Sequence, residues 1–211
     1  MLELSRTEPL AVGHLRHVYQ HPENPAYLIK VMRADAVDAR ITKGRWYKKL
    51  PRTREYIGYV RELKEYIASQ VRPHSRNAPI ARMIGLVDTD LGLGLVAEKV
   101  CAPDGRLAST LAALYAEHRG FDAVLERELD VFYRGIVDAN VIVGDMHAWN
   151  IVYGSDSRGG PRLVLIDGFG EKNLIPMASM SRRFNARNSA RLYRRMRAQA
   201  IALIPLEDAP R

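Results

Sequence analysis

Apolar residues fall into short strand-like runs over the first half of the chain and into helical stripes over the second. Ser5–Val18 reads as strand, turn, strand around Gly13. Ala26–Met32 (AYLIKVM) reads as a short apolar strand with one lysine, Lys30, set into it. Thr53–Gln70 has helical spacing, with Thr53 as N-cap and Val60, Leu63 and Ile67 as the apolar stripe. Ala81–Val87 and Gly94–Val100 read as two strands joined through DTDLG, and CAPDG (Cys101–Gly105) punctuates the chain as a hinge. The pattern is then helical from Leu107 to Asn140, two strands bracket the turn Gly154–Pro161, and the remainder is helical. In that last segment Met180, Phe184, Leu192 and Met196 share a stripe, which turns the arginines outward, and Phe169 and Trp149 read as core. Strands first and helices later predict a two-lobed α+β protein, a single domain over 1–211 with lobes at 1–100 and 106–211 around the hinge 101–105.

Charge adds a second layer. The formal net charge is +8, and it is concentrated in two runs. Arg40–Arg54 and Ser181–Arg197 each carry seven cations and no acid. Such runs favour an anionic partner (nucleotide, phosphosugar, nucleic acid or acidic lipid surface), or are simply solvated faces. The first run, broken by Gly44 and Pro51, reads as an inserted loop. A single cysteine excludes an internal disulfide and offers no metal-site pattern, and His14, His17 and His21 read as solvated rather than as ligands. No apolar run approaches the roughly 18 residues that span a bilayer, and the N-terminus lacks a signal-peptide core, so the expected location is the cytoplasm.

Against this background, the order of a few polar residues stands out. Lys30 sits in its strand, Glu62 on the following helix, Asp145 and Asn150 within GDMHAWN, and Asp167 at the end of RLVLIDGFG. Phosphoryl transfer needs a covering loop, a cation on the phosphates, a carboxylate to position that cation, a base, and two metal ligands, and the chain supplies these in that order. Lysine in an apolar strand is costly without a partner. Glu62 shares a helical face with Tyr59 and Tyr66 and is expected to point inward to Lys30, whereas Glu65 shares a face with Gly58, Arg61 and Ser69 and is expected at the surface. Asp145 and Asp167 also suit ordinary turns. His147 suits either a hydrogen bond to the transferring phosphoryl group or packing within the loop.

The motif GDMHAWN resembles the catalytic loop of the protein-kinase-like superfamily, notably its aminoglycoside and choline kinase branch. Across nearly the whole chain, LSRTEPLAVGHLRHVYQHPENPAYLIKV, RELKEY, GDMHAWNIVYG and IDGFGEKNLIP are similar to the YrbL family of PhoP regulatory network proteins. The resemblance implies a protein-kinase-like two-lobed fold with a reduced C-lobe, using ATP and Mg²⁺ on a hydroxyl-bearing acceptor, a small molecule or lipid-linked sugar more than a protein. It implies Lys30 as the phosphate-binding lysine with Glu62 as its partner, Asp145 as base, and Asn150 and Asp167 as metal ligands. The backbone of Glu98 and Val100 would meet adenine. Of the three glycines in a kinase phosphate loop only Gly13 remains, flanked by Ala11 and by Arg16, which offers charge in place of backbone approach. The contrasting expectation is a pseudokinase-like regulator that binds nucleotide, or a nucleic-acid-binding protein, without turnover.

Overall fold

The computed structural model describes residues 1–37, 52–71, 75–117, 123–172 and 176–203. Most of the basic run 40–54 lies outside the described residues. The protein is α+β, with antiparallel sheets, and divides into two compact units. One comprises Met1–Leu63 and Arg82–Lys99; the other comprises Lys64–Ala81 and Val100–Arg211. Residues 64–81, expected with the first half of the chain, therefore group with the second unit.

The first unit is built on five strands: β1 (Ala11–Val12), β2 (Arg16–Gln20), β3 (Tyr27–Met32), β4 (Met83–Thr89) and β5 (Gly92–Glu98), in the order β1-β2-β3-β5-β4. Every pairing is antiparallel. Alternation along β3 sends Ile29 and Val31 into a core with Leu4, Tyr19 and Val96, and sends Lys30 to the opposite face. β5 lies between β3 and β4, which explains its nearly continuous burial. Gly94 is required there, because a Cβ at this position would come within 2.6 Å of Ile29 Cγ2. Ahead of β1 the expected strand from Ser5 is replaced by turns, and the strand itself is only two residues long.

Helix α1 (Ile57–Gln70) starts four residues later than its pattern implied, so Thr53 is not its N-cap. Its inward face is also not the expected one. Val60 and Ile67 are exposed, Ile67 at 64%, while Tyr59, Glu62, Glu65 and Ser69 are buried. Apolar spacing marks the inward face only where polar groups lack partners, and here polar groups with partners occupy the buried face instead.

The second unit carries a three-stranded sheet, β6-β7-β8, from Ser109–Thr110, Ile151–Asp156 and Gly159–Leu165. Three longer helices surround it: α2 (Leu111–Glu117), α3 (Ala123–Asp138) and α5 (Arg182–Ile201), with the short α4 (Met177–Met180) before the last. The expected continuous helix 107–140 is thus β6 followed by two helices. Leu111, Tyr115, Leu129, Phe132, Ile136, Ile151, Leu163 and Met196 supply the core. Helix α5 is rotated relative to its predicted stripe. Asn185, Ser189, Tyr193, Met196 and Ala200 are buried, whereas Met180 and Phe184 are exposed. Asn185 earns its place by donating to the carbonyls of Asn140 and Val141 at 3.3 and 3.0 Å. Tyr193 stacks on Tyr133 with ring centroids 4.5 Å apart.

The β7–β8 hairpin is closed by a buried charge cluster. Asp156 accepts from Arg158 Nη2 at 2.9 Å and from Arg162 Nη2 at 2.7 Å, and its side chain is 1% exposed. Arg158 in turn donates to the carbonyl of Ile80. Removing the carboxylate deprives two partly buried guanidinium groups of their shared counter-charge, so Asp156→Ala should lower the unfolding free energy by about 3–5 kcal/mol. Urea denaturation checks this, and a midpoint equal to that of the parent would show that the cluster contributes nothing.

Candidate functional site

In the first unit, Lys30 is buried in β3, opposite Val18 on β2 and Leu95 on β5. Register puts Arg16 two residues along the same face, opposite Met32. α1 covers this face, and the Tyr59 hydroxyl donates to the carbonyl of Lys30 at 2.7 Å. The Arg16 guanidinium lies 5.1 Å from the Tyr59 ring centroid. It also donates twice to Glu62, Nη1 to Oε2 at 3.0 Å and Nη2 to Oε1 at 2.6 Å. Glu62 does point inward, as its spacing implied. Both of its oxygens take bonds from Arg16, which the sequence places at the phosphate loop. Fork-on-carboxylate geometry is the reason, since guanidinium matches both oxygens at once. Burial pushes the Tyr59 phenol well above its ordinary pKa.

Gly13 closes a tight turn, its N–H donating to the Arg16 carbonyl at 2.8 Å and its carbonyl accepting from Arg33 at 3.3 Å. Glu98 ends β5, with its N–H on the carbonyl of Arg82. Val100 belongs to the second unit, where its carbonyl accepts from Ala108 at 3.0 Å.

In the second unit the motif GDMHAWN forms a loop that ends in a single 3-10 turn, Ala148–Asn150. Met146 and Ala148 are buried, and Asp145 and Trp149, on either side of them, are exposed. Trp149, expected in the core, is 55% exposed, because the core-facing positions of this alternation fall to its neighbours; Phe169 is buried as expected. Backbone bonds stitch this loop to the one after β8. The amides of Gly144 and Asp145 both donate to the Gly168 carbonyl at 2.9 and 2.8 Å, Gly170 donates to Ile142 at 2.7 Å, and Ile166 donates to Asn150 at 2.8 Å. Gly168 has φ +82°, and a Cβ there would collide with the Asp145 carbonyl and lie 3.1 Å from both Asn150 Nδ2 and Asp145 Cβ. Only glycine fits.

Asp145, Asn150 and Asp167 are therefore gathered around one glycine. Asp167 Oδ1 accepts from the Gly168 amide at 2.5 Å. Asp145 Oδ2 meets Lys172 Nζ at 3.2 Å. His147 is half-buried at the head of the 3-10 turn, and its carbonyl accepts from Asn150 at 2.8 Å. Asn150 and Asp167 offer oxygen donors, the chemistry that Mg²⁺ selects. Beside the loop a cavity of about 80 Å³ is bordered by Gly144, Glu171, Lys172, Asn188 and Arg191.

Two residues escaped sequence reasoning. Lys172 follows the Asp-Gly-Phe-Gly turn with no periodic pattern to mark it. Glu65 was assigned to the surface but is buried, its Oε1 accepting from the Ile142 amide at 2.8 Å. Its signal was spacing: it continues the i, i+3 run of Tyr59 and Glu62.

With the site described, comparison defines its class. The family described as "PhoP regulatory network protein YrbL" matches residues 2–201, so the chain belongs to that family. It is similar to the "Uncharacterized protein YrbL" of Escherichia coli (strain K12), at 29% identity over 212 residues, covering 98% of this chain and 91% of the relative. The protein of the same description from Shigella flexneri matches to the same extent.

Glu65 provides a pH test of the region. Burial is the main cause that lifts its carboxyl to about 7 from an ordinary 4.5; Glu171 adds to this, while the Ile142 amide and Lys64 oppose it. With the folded value raised, the folded state holds the proton more tightly. The stabilising contribution is complete below about pH 4.5 and is lost as pH rises through about 7. A shift of this size corresponds to about 3 kcal/mol. Glu65→Gln keeps an oxygen for the Ile142 amide and has no proton to lose, so its unfolding free energy should lack this slope. An unchanged slope in the variant would place the titration elsewhere.

Proposed function

We propose that the chain is an ATP- and Mg²⁺-dependent phosphotransferase with a protein-kinase-like fold, acting on a hydroxyl-bearing acceptor. One observation carries the reading: backbone bonds between the two loops draw Asp145, Asn150 and Asp167 together around Gly168. Asn150 and Asp167 would hold Mg²⁺, which when bound neutralises charge on the phosphates. Exposed Asp145 orients the acceptor hydroxyl and accepts its proton as the oxygen attacks the γ-phosphorus; ADP leaves, and the phosphoryl group ends on the acceptor oxygen. Lys172, 3.2 Å from Asp145, and His147, two residues along the loop, would be further hydrogen-bond donors to the transferring group. Lys30, buried on the sheet face beneath α1, would act on the nucleotide phosphates. The acceptor class is a small molecule or a lipid-linked sugar.

A second reading, a regulator that binds nucleotide without turnover, is favoured by a different observation. The phosphate loop retains a single glycine, Gly13.

Asp145→Asn should reduce turnover by a factor of about 10²–10⁴ while leaving Mg·ATP affinity intact. Asp167→Asn and Asn150→Ala should lower both, because each removes an oxygen ligand. Calorimetry beside a turnover assay reads the split. Equal affinity losses in Asp145→Asn and Asp167→Asn, or full activity in Asp145→Asn, would defeat the assignment. A parent that binds Mg·ATP without consuming it would establish the second reading. Lys30→Met should raise the Kd for Mg·ATP, with a thermal melt confirming that the variant is folded, and an unchanged Kd in a folded variant would remove Lys30 from the site.

A further inference from the structure

Helix α5 runs from Arg182 to Ile201 and contains seven arginines and no acid. Its buried side is marked by Asn185, Ser189, Tyr193, Met196 and Ala200. Helical spacing then places Arg183, Arg187, Arg191, Arg194 and Arg195 on the opposite, exposed side. These five cover about 20 Å of helix at 1.5 Å per residue.

The arginines of this unit are not uniformly unpaired. Arg106, Arg158, Arg162 and Arg197 each meet a carboxylate. Among the described residues, no ion pair is made by the five on the outer face of α5; Arg191 bonds the Asn188 amide oxygen and Arg194 the Ala190 carbonyl, both within the helix. A row of cations that the fold does not neutralise is complementary to a polyanionic surface.

The leading end of the same helix shows what kind of surface. Phe184 lies on the arginine side, three residues before Arg187, and is 41% exposed. Met177 and Met180, in the turn of helix just before it, are 44% and 74% exposed. A polynucleotide backbone rewards the arginines and gives nothing for three bared apolar side chains. An acidic bilayer rewards both, through headgroup phosphates and through the acyl boundary beneath them. Among the described residues no helix is long and apolar enough to cross a membrane, so the contact in question is at the surface.

We propose that the outer face of α5, led by Met177, Met180 and Phe184, docks the protein on the anionic surface of a lipid bilayer. The inference stands apart from the phosphotransferase reading: Arg191 borders the cavity beside the loop, but none of these side chains has a role in the proposed chemistry, and the variants below leave Arg191 in place. The inward side chains of the helix remain in the core while the outer face binds, so docking requires no unfolding.

The test is co-sedimentation of the full chain with phosphatidylcholine vesicles, with and without phosphatidylglycerol. Binding should need phosphatidylglycerol and weaken as salt is added. The basic run 40–54 also carries cations, so variants of α5 localise the contact. Arg187→Glu with Arg194→Glu should cut the vesicle partition coefficient at least about 25-fold, at about fivefold per cation removed. Met180→Ser with Phe184→Ser should weaken vesicle binding and leave binding to a DNA duplex unaltered. All four residues are exposed, and an unchanged thermal melt confirms that each variant is folded. Parental vesicle binding in the Arg187→Glu, Arg194→Glu variant would overturn the proposal. So would a lack of binding to acidic vesicles at low salt, or a duplex that displaces the vesicles while the Met180, Phe184 variant binds them like the parent.

Discussion

The carbonyl of Gly168 accepts from two successive amides, those of Gly144 and Asp145, and the candidate chemistry depends on this shared acceptor. Backbone groups near a site must be satisfied somewhere, and here they satisfy each other across two loops. The side chains of Asp145 and Asn150 are spared that task. Asp167 gives one oxygen to the Gly168 amide, which fixes its direction at the end of β8. The junction has room for no Cβ, and its φ of +82° independently requires glycine. The Asp-Gly dipeptide is thus a packing requirement as well as a turn signal.

Buried polarity is the second organising feature. Within one stretch of α1, Glu62 and Glu65 are both taken out of water, and each is compensated differently. Glu62 is ionically paired with Arg16, which also lies against Tyr59. Glu65 has an amide to accept from, and its carboxyl is lifted toward neutrality, which lowers the cost of burying it. A carboxylate pair in a dry site gains specificity of geometry more than net stability, since desolvation consumes much of the Coulombic gain. Asn185 on α5 repeats the theme with bonds to the backbone at 140 and 141, immediately before the strand-like run that leads to Asp145.

The same feature explains what was legible in the sequence. β3 and β5 were readable because alternation and apolar content agree with burial there. The set Asp145, Asn150 and Asp167 was readable because its members sit at fixed offsets in turns beside strands, where the backbone enforces their proximity. The inward faces of α1 and α5 were misread because apolar residues were used as the marker. Val60, Ile67, Met180 and Phe184 lie outside, and Glu65, Ser69 and Ser189 lie inside. The two buried glutamates of α1 draw partners from distant segments: Arg16 is 46 positions from Glu62, and Ile142 is 77 from Glu65. Local spacing carries no record of such pairings. Lys172, 27 positions from Asp145, was hidden for the same reason.

The role proposed for Asp145, Asn150 and Asp167 is to move a phosphoryl group. The most direct measurement is transfer of label from γ-labelled ATP, with Mg²⁺, by the purified chain incubated with a cell extract freed of nucleotides, beside the Asp145→Asn variant. Label is expected on a hydroxyl-bearing small molecule or lipid-linked sugar with the parent and none above background with the variant. Equal labelling by parent and variant, or no labelled acceptor and no ADP formed by a parent that is folded and supplied with Mg·ATP, would contradict it.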